Sequence, residues 1–223
     1  MATGFRALVT DLDGVLCDTE SVFVRAVNAL LREEGLVELT LDEARLLVGL
    51  DNESWWRALS ERSLRLSLEE YTTRADILAR ALMERELTLA PGVRDLLQKA
   101  RRAGMPVALA SSAARAYVDF RLRLLGLRNA FDAVITRDDI QHPKPHPEVY
   151  LTAARALGVT PAQAFALEDS PTGIKAARAA GPYTVAVQTI WTRGLDLSEA
   201  DEVIDSLGEL DLALLGALSA RRR

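Results

Sequence analysis

The amino-acid sequence predicts an α/β protein: a parallel sheet flanked by helices, with an all-helical insert after the first strand. Three observations predict it. Short apolar runs alternate with helical patterns after residue 90, which is the order of βαβ units. A similar run, Ala7-Leu8-Val9, stands near the start of the chain, ahead of a long segment with no convincing strand. Several of the apolar runs end abruptly in acidic or hydroxyl residues, as buried strands do where they meet a loop.

The elements follow in order. Ala7-Leu8-Val9 runs into Asp11-Leu12-Asp13-Gly14 and reads as a buried strand ending in a loop. From Thr19 to Glu86 the texture is helical, rich in Leu, Arg, Glu and Ala, and Gly35 stops the first helix. Ser67-Leu68-Glu69-Glu70 has the capping-box pattern and starts a long helix reaching about Glu86. Pro91 marks the first turn of the next helix and Gly104 its end. Met105 to Ala110 is a strand leading to Ser111-Ser112, followed by a helix to about Leu125-Gly126. Ala133-Val134-Ile135 is a short strand. Pro147 starts a helix ending near Gly158. Ala164 to Leu167 is a strand leading into Glu168-Asp169, and Thr172 to Ala180 is a helix stopped by Gly181. Thr184 to Val187 and Glu202-Val203-Ile204 are the last strands, and a helix from about Leu207 closes the chain. Arg221-Arg222-Arg223 reads as a frayed, solvated end. The expected division is residues 1–17 and 89–223 as the sheet core and 18–88 as a helical cap.

Composition narrows the function classes. Hydrophobic residues make up 49% and charged residues 26%, the ordinary balance of a soluble globular protein. A net charge of −5 disfavours a broad grip on phosphate backbones, so no nucleic-acid partner is expected. The longest uncharged stretch, Ala179 to Thr192, contains Gly181, Pro182 and Gln188 and falls short of the roughly 18 apolar residues of a membrane span, so no membrane partner is expected. No apolar signal-peptide region follows Met1, and the single cysteine, Cys17, permits no internal disulfide. A cytoplasmic location fits both features. Only Lys99, Lys144 and Lys175 among the 27 basic residues are lysines, which singles each of them out.

Ligands of open parallel sheets bind outside the carboxyl ends of the strands. Asp11 and Asp13 follow the first strand, Ser111 and Ser112 the second, and Glu168 and Asp169 the fourth; Lys144 lies in the loop His142-Pro143-Lys144-Pro145-His146-Pro147 after the third. Carboxylates crowded this way repel one another unless a cation joins them, and a hard, oxygen-seeking ion such as Mg²⁺ fits. The set suits phosphoryl transfer. A carboxylate such as Asp11 is a competent covalent nucleophile. Lys144 and Ser111 supply charge and a hydrogen bond to the transferring group, Asp13 is placed for acid/base work, and Gly14 permits a sharp turn beside the phosphate.

Asp11-Leu12-Asp13-Gly14-Val15-Leu16-Cys17-Asp18-Thr19-Glu20, Ala108-Leu109-Ala110-Ser111-Ser112, Pro143-Lys144-Pro145 and Leu167-Glu168-Asp169-Ser170-Pro171-Thr172-Gly173 stand in this order, each at an expected strand end or the loop after it. With them the chain resembles, over essentially its whole length, the haloacid dehalogenase-like phosphohydrolases, and within them the subgroup containing β-phosphoglucomutase and phosphoglycolate phosphatase. The resemblance implies a Rossmann-like core with an inserted helical cap. It implies Asp11 as nucleophile and Asp13 as general acid/base. It implies Mg²⁺ held by the Asp11 carboxylate, the Asp13 backbone carbonyl and Asp169, with Glu168 acting nearby, and a phosphoryl group held by Ser111 and Lys144.

The cap departs from the β-phosphoglucomutase pattern. A histidine position after the Asp-Thr-Glu segment is Phe23 here, the position of a sugar-phosphate-gripping arginine falls at Asn52, and Ala113-Ala114-Arg115 replaces a Ser-Lys-Asn cluster. Hydrolysis is therefore expected rather than mutase chemistry, on a small phosphorylated metabolite, by a monomer or homodimer. Trp55 and Trp56 face about 100° apart on their helix, so one belongs to the cap core and the other to a cleft or a dimer contact. Phe23, Asn52 and Trp55 are the candidate substrate-selecting residues.

Plainer readings compete. Asp11 and Asp13 alone would be a solvated turn; three partner motifs displace that reading. Ser111 doubles as a helix N-cap, and Ser112 is a cap or loop residue. Glu168 and Asp169 have helix capping as their alternative role. Lys175 reads as a solvent-facing lysine, and Cys17 as a packing residue. His142 and His146 read as loop residues, since two histidines with no cysteine or third histidine nearby do not make a zinc site. Against the phosphatase stand a phosphomutase, a receiver-type domain phosphorylated on Asp, and a catalytically idle binding protein. Receiver-type domains are about half this length and lack the insert, and the complete set of catalytic residues argues against idleness.

Overall fold

The structure, a computed structural model, describes residues 5–210. The chain splits after Cys17 and after Thr88: Asp18–Thr88 form one unit, and the segments on either side form the other.

The core unit is built on six strands: β1 (Ala7–Thr10), β2 (Val107–Ala110), β3 (Ala133–Ile135), β4 (Ala164–Glu168), β5 (Tyr183–Val187) and β6 (Glu202–Ile204). Their spatial order is β3-β2-β1-β4-β5-β6, and every pairing is parallel. Leu8 lies opposite both Val107 and Phe165, and Thr10 opposite both Leu109 and Leu167, so β1, β2 and β4 end level with one another. Strands β1, β2 and β4 are buried at every position, which is why they read as continuous apolar runs rather than alternating ones.

One sheet face is made largely of alanines and valines. Ala7, Val9, Ala108, Ala110, Ala164 and Ala166 pack with Val149 and Ala153 of helix α7 (Glu148–Ala156) and Ala176 and Ala177 of helix α8 (Pro171–Ala180). Small side chains on both partners let helix and sheet backbones approach closely, so bulkier substitutions here would overpack the core. Helices α5 (Val93–Arg102) and α6 (Arg115–Leu124) precede and follow β2.

The other unit is helical throughout: α1 (Thr19–Glu33), α2 (Leu41–Arg45), α3 (Asn52–Glu61) and α4 (Leu68–Glu86), with α4 packed on α1 and α3. Side chains close each N-terminus. Asp18 accepts from Ser21 N, Asp51 accepts from Ser54 N, and Thr40 with Glu43 and Ser67 with Glu70 form reciprocal capping boxes. Both boxes carry the Ser/Thr-x-x-Glu pattern in the sequence, as Thr40-Leu41-Asp42-Glu43 and Ser67-Leu68-Glu69-Glu70, although only the second is among the expected helix starts.

Several boundaries differ from expectation. Pro91 lies in a turn; Gly92 is the N-cap of α5 with φ 88°, and its missing Cβ would fall 2.9 Å from Gly208 N. Helix α7 begins at Glu148, with Pro147 as its N-cap. Strand β2 begins at Val107, two residues later than the apolar run suggests, after Met105 N has donated to Ala100 O at the end of α5. At Leu207 the structure has a single 3₁₀ turn, Leu207–Glu209; the expected closing helix beyond it and the Arg221-Arg222-Arg223 tail lie outside the described residues.

Candidate active site

The strand order reverses direction at β1 and β4: the chain fills β1, β2 and β3 to one side and then crosses to β4 on the other. Such a switch point opens a crevice at the strands' carboxyl ends. Asp11 follows β1 directly, Ser111 follows β2, and Glu168 closes β4 with Asp169 after it. Level strand ends therefore bring four residues of distant sequence position to one place.

Lys144 reaches the same place from the loop between β3 and α7. Its Nζ lies 2.5 Å from Asp11 Oδ1, 2.5 Å from Glu168 Oε1 and 3.2 Å from the Ala110 carbonyl oxygen. Its side chain is only 7% exposed. The Tyr150 hydroxyl donates to Glu168 Oε1 at 2.7 Å, and Lys144 Nζ stands 5.2 Å from the Tyr150 ring centroid. The other Glu168 oxygen accepts from Asp169 N, Ser170 N and Ser170 Oγ.

The electrostatics follow from that packing. Burial pushes the Asp11 carboxyl up to about 7 against the pull of Lys144, with Glu168 and Asp13 adding to the rise. Burial would also drive the Lys144 ammonium to lose its proton, but Asp11 and Glu168 more than offset this and hold it charged. Glu168 stays ionised below the usual carboxylate range because Lys144, Tyr150 and the Ser170 N–H outweigh its burial.

Two glycines make room for carboxylates. A Cβ on Gly14, which has φ 76°, would lie 1.9 Å from Asp169 Oδ2, so Asp169 rests directly against the loop that carries Asp11 and Asp13. A Cβ on Gly173 would lie 1.9 Å from Glu168 Oε1, so the first turn of α8 closes over the Glu168 carboxylate only because position 173 is bare. The Asp11 and Asp169 carboxylates and the Asp13 carbonyl are oxygen donors carried by, or resting against, the loop after β1, and oxygen donors suit a hard dication such as Mg²⁺. Glu168, already accepting five hydrogen bonds among the described residues, instead braces Lys144 and the loop after β4.

Asp13 is half-buried, and its Oδ2 accepts from Arg121 Nη1 at 2.8 Å. Ser111 is buried, and its Oγ accepts from Ala113 N at 3.1 Å. It is not a helix N-cap: α6 starts three residues after Ser112, at Arg115, with Ala114 as its N-cap. Ser170, not Glu168 or Asp169, caps α8.

Phe23, Asn52 and Trp55 all lie in the helical unit. Trp55 is buried and meets the Phe23 ring edge-on at 5.2 Å. Trp56, half-buried, donates from Nε1 to Leu66 O at 2.8 Å. Asn52 is exposed at the first position of α3.

Sequence reasoning missed Tyr150 and Arg121. A tyrosine on the buried face of α7 needs a partner for its hydroxyl, which is the signal that points to Tyr150. Arg121 offers no local signal, since its partner Asp13 lies 108 residues away.

Comparison with known proteins bears on the family and the fold. A family model described as haloacid dehalogenase-like hydrolase matches residues 5–181. The Bacillus subtilis (strain 168) protein YhcW is 34% identical over 220 residues, 94% of this chain and 96% of the relative. A phosphorylated carbohydrates phosphatase of Thermotoga maritima is 32% identical over 177 residues, 79% and 82% of the two chains. The crystal structure of CbbY from Rhodobacter sphaeroides in complex with phosphate matches with a TM-score of 0.78 at 31% identity, covering 92% of this chain and 96% of that one. Among the described residues no helix is long and apolar enough to cross a membrane.

Proposed function

The chain belongs to the haloacid dehalogenase-like hydrolases and is a phosphatase of that family; on that premise we propose that it hydrolyses the phosphate monoester of a small phosphorylated sugar or polyol through an aspartyl-phosphate on Asp11. The observation that carries the reading is Lys144 Nζ held 2.5 Å from both Asp11 and Glu168 at the switch point of the sheet. A buried ammonium there meets the charge of an incoming phosphoryl group without leaving its own carboxylates unpaired.

The chemistry divides among the chain's own residues. Lys144 and the Ser111 hydroxyl hold phosphoryl oxygens. Asp11 attacks phosphorus and forms the acyl-phosphate bond as the P–O bond to the leaving group breaks, while Asp13 donates a proton to the leaving oxygen. Asp13, now a carboxylate, takes a proton from water; that water attacks phosphorus, and Asp11 and inorganic phosphate are released. Mg²⁺, when held by Asp11, Asp169 and the Asp13 carbonyl, supplies the positive charge that keeps Asp11 ionised beside an anionic substrate.

The mutase reading is disfavoured by Phe23, whose apolar edge contact with Trp55 offers no group for proton transfer. The carbohydrate-phosphate relative supports the substrate class. Of the cap candidates Phe23 and Asn52 remain for substrate selection, whereas Trp55, buried against Phe23, belongs to the interior of the helical unit and not to a substrate-facing surface. The buried thiol of Cys17 fits a cytoplasmic setting.

The test is hydrolysis of a generic aryl phosphate and of a sugar-phosphate panel, with Mg²⁺ and with EDTA, for wild type and Asp11→Asn. Mg²⁺-dependent release of phosphate that Asp11→Asn loses supports the reading. Release that survives in Asp11→Asn sinks it.

A further inference from the structure

The loop that buries Lys144 turns other ligating groups outward. His142 Nδ1 lies 2.9 Å from Glu148 Oε2, and His146 Nδ1 lies 3.8 Å from the same oxygen. The two imidazole centroids are 4.5 Å apart, and one ligating atom from each of the three residues lies within 4.8 Å of the others. The histidine side chains are 61% and 49% exposed, against 7% for Lys144 between them. Counting only histidines and cysteines overlooks this set, because its third donor is a carboxylate two residues beyond His146.

From these positions we propose that His142, His146 and Glu148 form a binding site for a transition-metal dication of the Zn²⁺ type, distinct from the acidic Mg²⁺ site. Two imidazoles and a carboxylate suit Zn²⁺, Ni²⁺ or Cu²⁺ and not Mg²⁺. A tetrahedral ion with bonds of about 2.1 Å holds its ligand atoms about 3.4 Å apart, so modest side-chain rotations close the present spacing. Three protein ligands leave a fourth position for water.

Two features prepare the site. Pro143, Pro145 and Pro147 restrict the backbone between and beside the ligands, which lowers the entropy lost on binding. The Glu148 carboxylate is already oriented by the backbone N–H groups of Gln141 and His142, each at 2.9 Å. The start of α7 disfavours a bare cation, so the Glu148 charge is the indispensable member.

The chain's only two histidines make the test direct. Full-length protein without added histidines, saturated with Mg²⁺, is titrated with Zn²⁺ while imidazole NMR signals and binding heat are followed. One equivalent of Zn²⁺ is expected to shift both histidines together. The paired variant His142→Ala/His146→Ala and the single variant Glu148→Gln should each weaken binding tenfold or more, and Asp11→Asn should leave it unchanged. Unshifted histidines, a shift of one alone, or Zn²⁺ binding that disappears in Asp11→Asn while surviving the histidine pair would overturn the proposal. The wild-type NMR readout holds whether or not a variant folds.

Discussion

Arg121 Nη1 lies 2.8 Å from Asp13 Oδ2, tying helix α6 to the second carboxylate of the loop after β1. The pair is poorly explained as a stabilising contact. Arg121 Nε is buried with no hydrogen-bond partner among the described residues, and such a group costs free energy. The contact makes better sense as a hold on the position of the Asp13 carboxyl, which the proposed reaction asks to give and then take a proton.

Arg121→Met is therefore expected to lower kcat about tenfold or more, with KM little changed and thermal stability within about 1 kcal/mol of wild type. Steady-state kinetics and a melting curve check this. An unchanged kcat with a large loss of stability would make Arg121 a structural residue only.

Removing Lys144 has the opposite balance. Lys144→Ala leaves the buried Asp11 and Glu168 carboxylates without their shared cation, which is expected to cost about 3–5 kcal/mol as well as activity. Lys144→Arg should not restore turnover, because a planar fork cannot take the place of a compact ammonium between two carboxylates. Denaturant unfolding without Mg²⁺ measures the stability loss.

Gly14→Ala tests the seat of Asp169. The new Cβ would stand 1.9 Å from Asp169 Oδ2 at a backbone φ of 76°, so Asp169 must move. Mg²⁺ affinity is expected to fall at least tenfold by calorimetry. An unaltered affinity would remove Asp169 from the metal set.

Mg²⁺ affinity should also depend on pH. With the Asp11 carboxyl raised to about 7, the metal-free folded protein keeps a proton that the unfolded chain loses near 3.8. This group's contribution to stability is thus fully present below 3.8 and lost as pH rises through about 7. Mg²⁺ needs the carboxylate, so binding below pH 7 releases that proton, and affinity rises with pH by up to about tenfold per unit before levelling. Titrations in buffers of different ionisation enthalpy detect the proton; a flat affinity from pH 5.5 to 7.5 would contradict the assignment.

The strands and their terminal residues were legible because a fully buried parallel strand is an apolar run that stops abruptly at a polar loop. Asp11, Asp13, Ser111, Glu168 and Asp169 all stand at such stops, and Lys144 stood out between two prolines in an arginine-rich chain. Ser111 misled as a helix cap because nothing local marks the start of α6 at Arg115. Arg121 was invisible because its role rests on a contact that only the sheet's assembly creates. The glycine at 173 looked like part of a motif; its reason, the Glu168 carboxylate beneath it, needs coordinates.

The most direct test of the central claim is acid-quenched mass spectrometry of the peptide containing Asp11 during turnover of a phosphate monoester with Mg²⁺. The account predicts a phosphoryl group on Asp11 that accumulates when Asp13→Asn slows its hydrolysis and is absent in Asp11→Asn. Turnover with no phosphorylated Asp11 under any of these conditions, or a phosphoryl group on another residue, would contradict it.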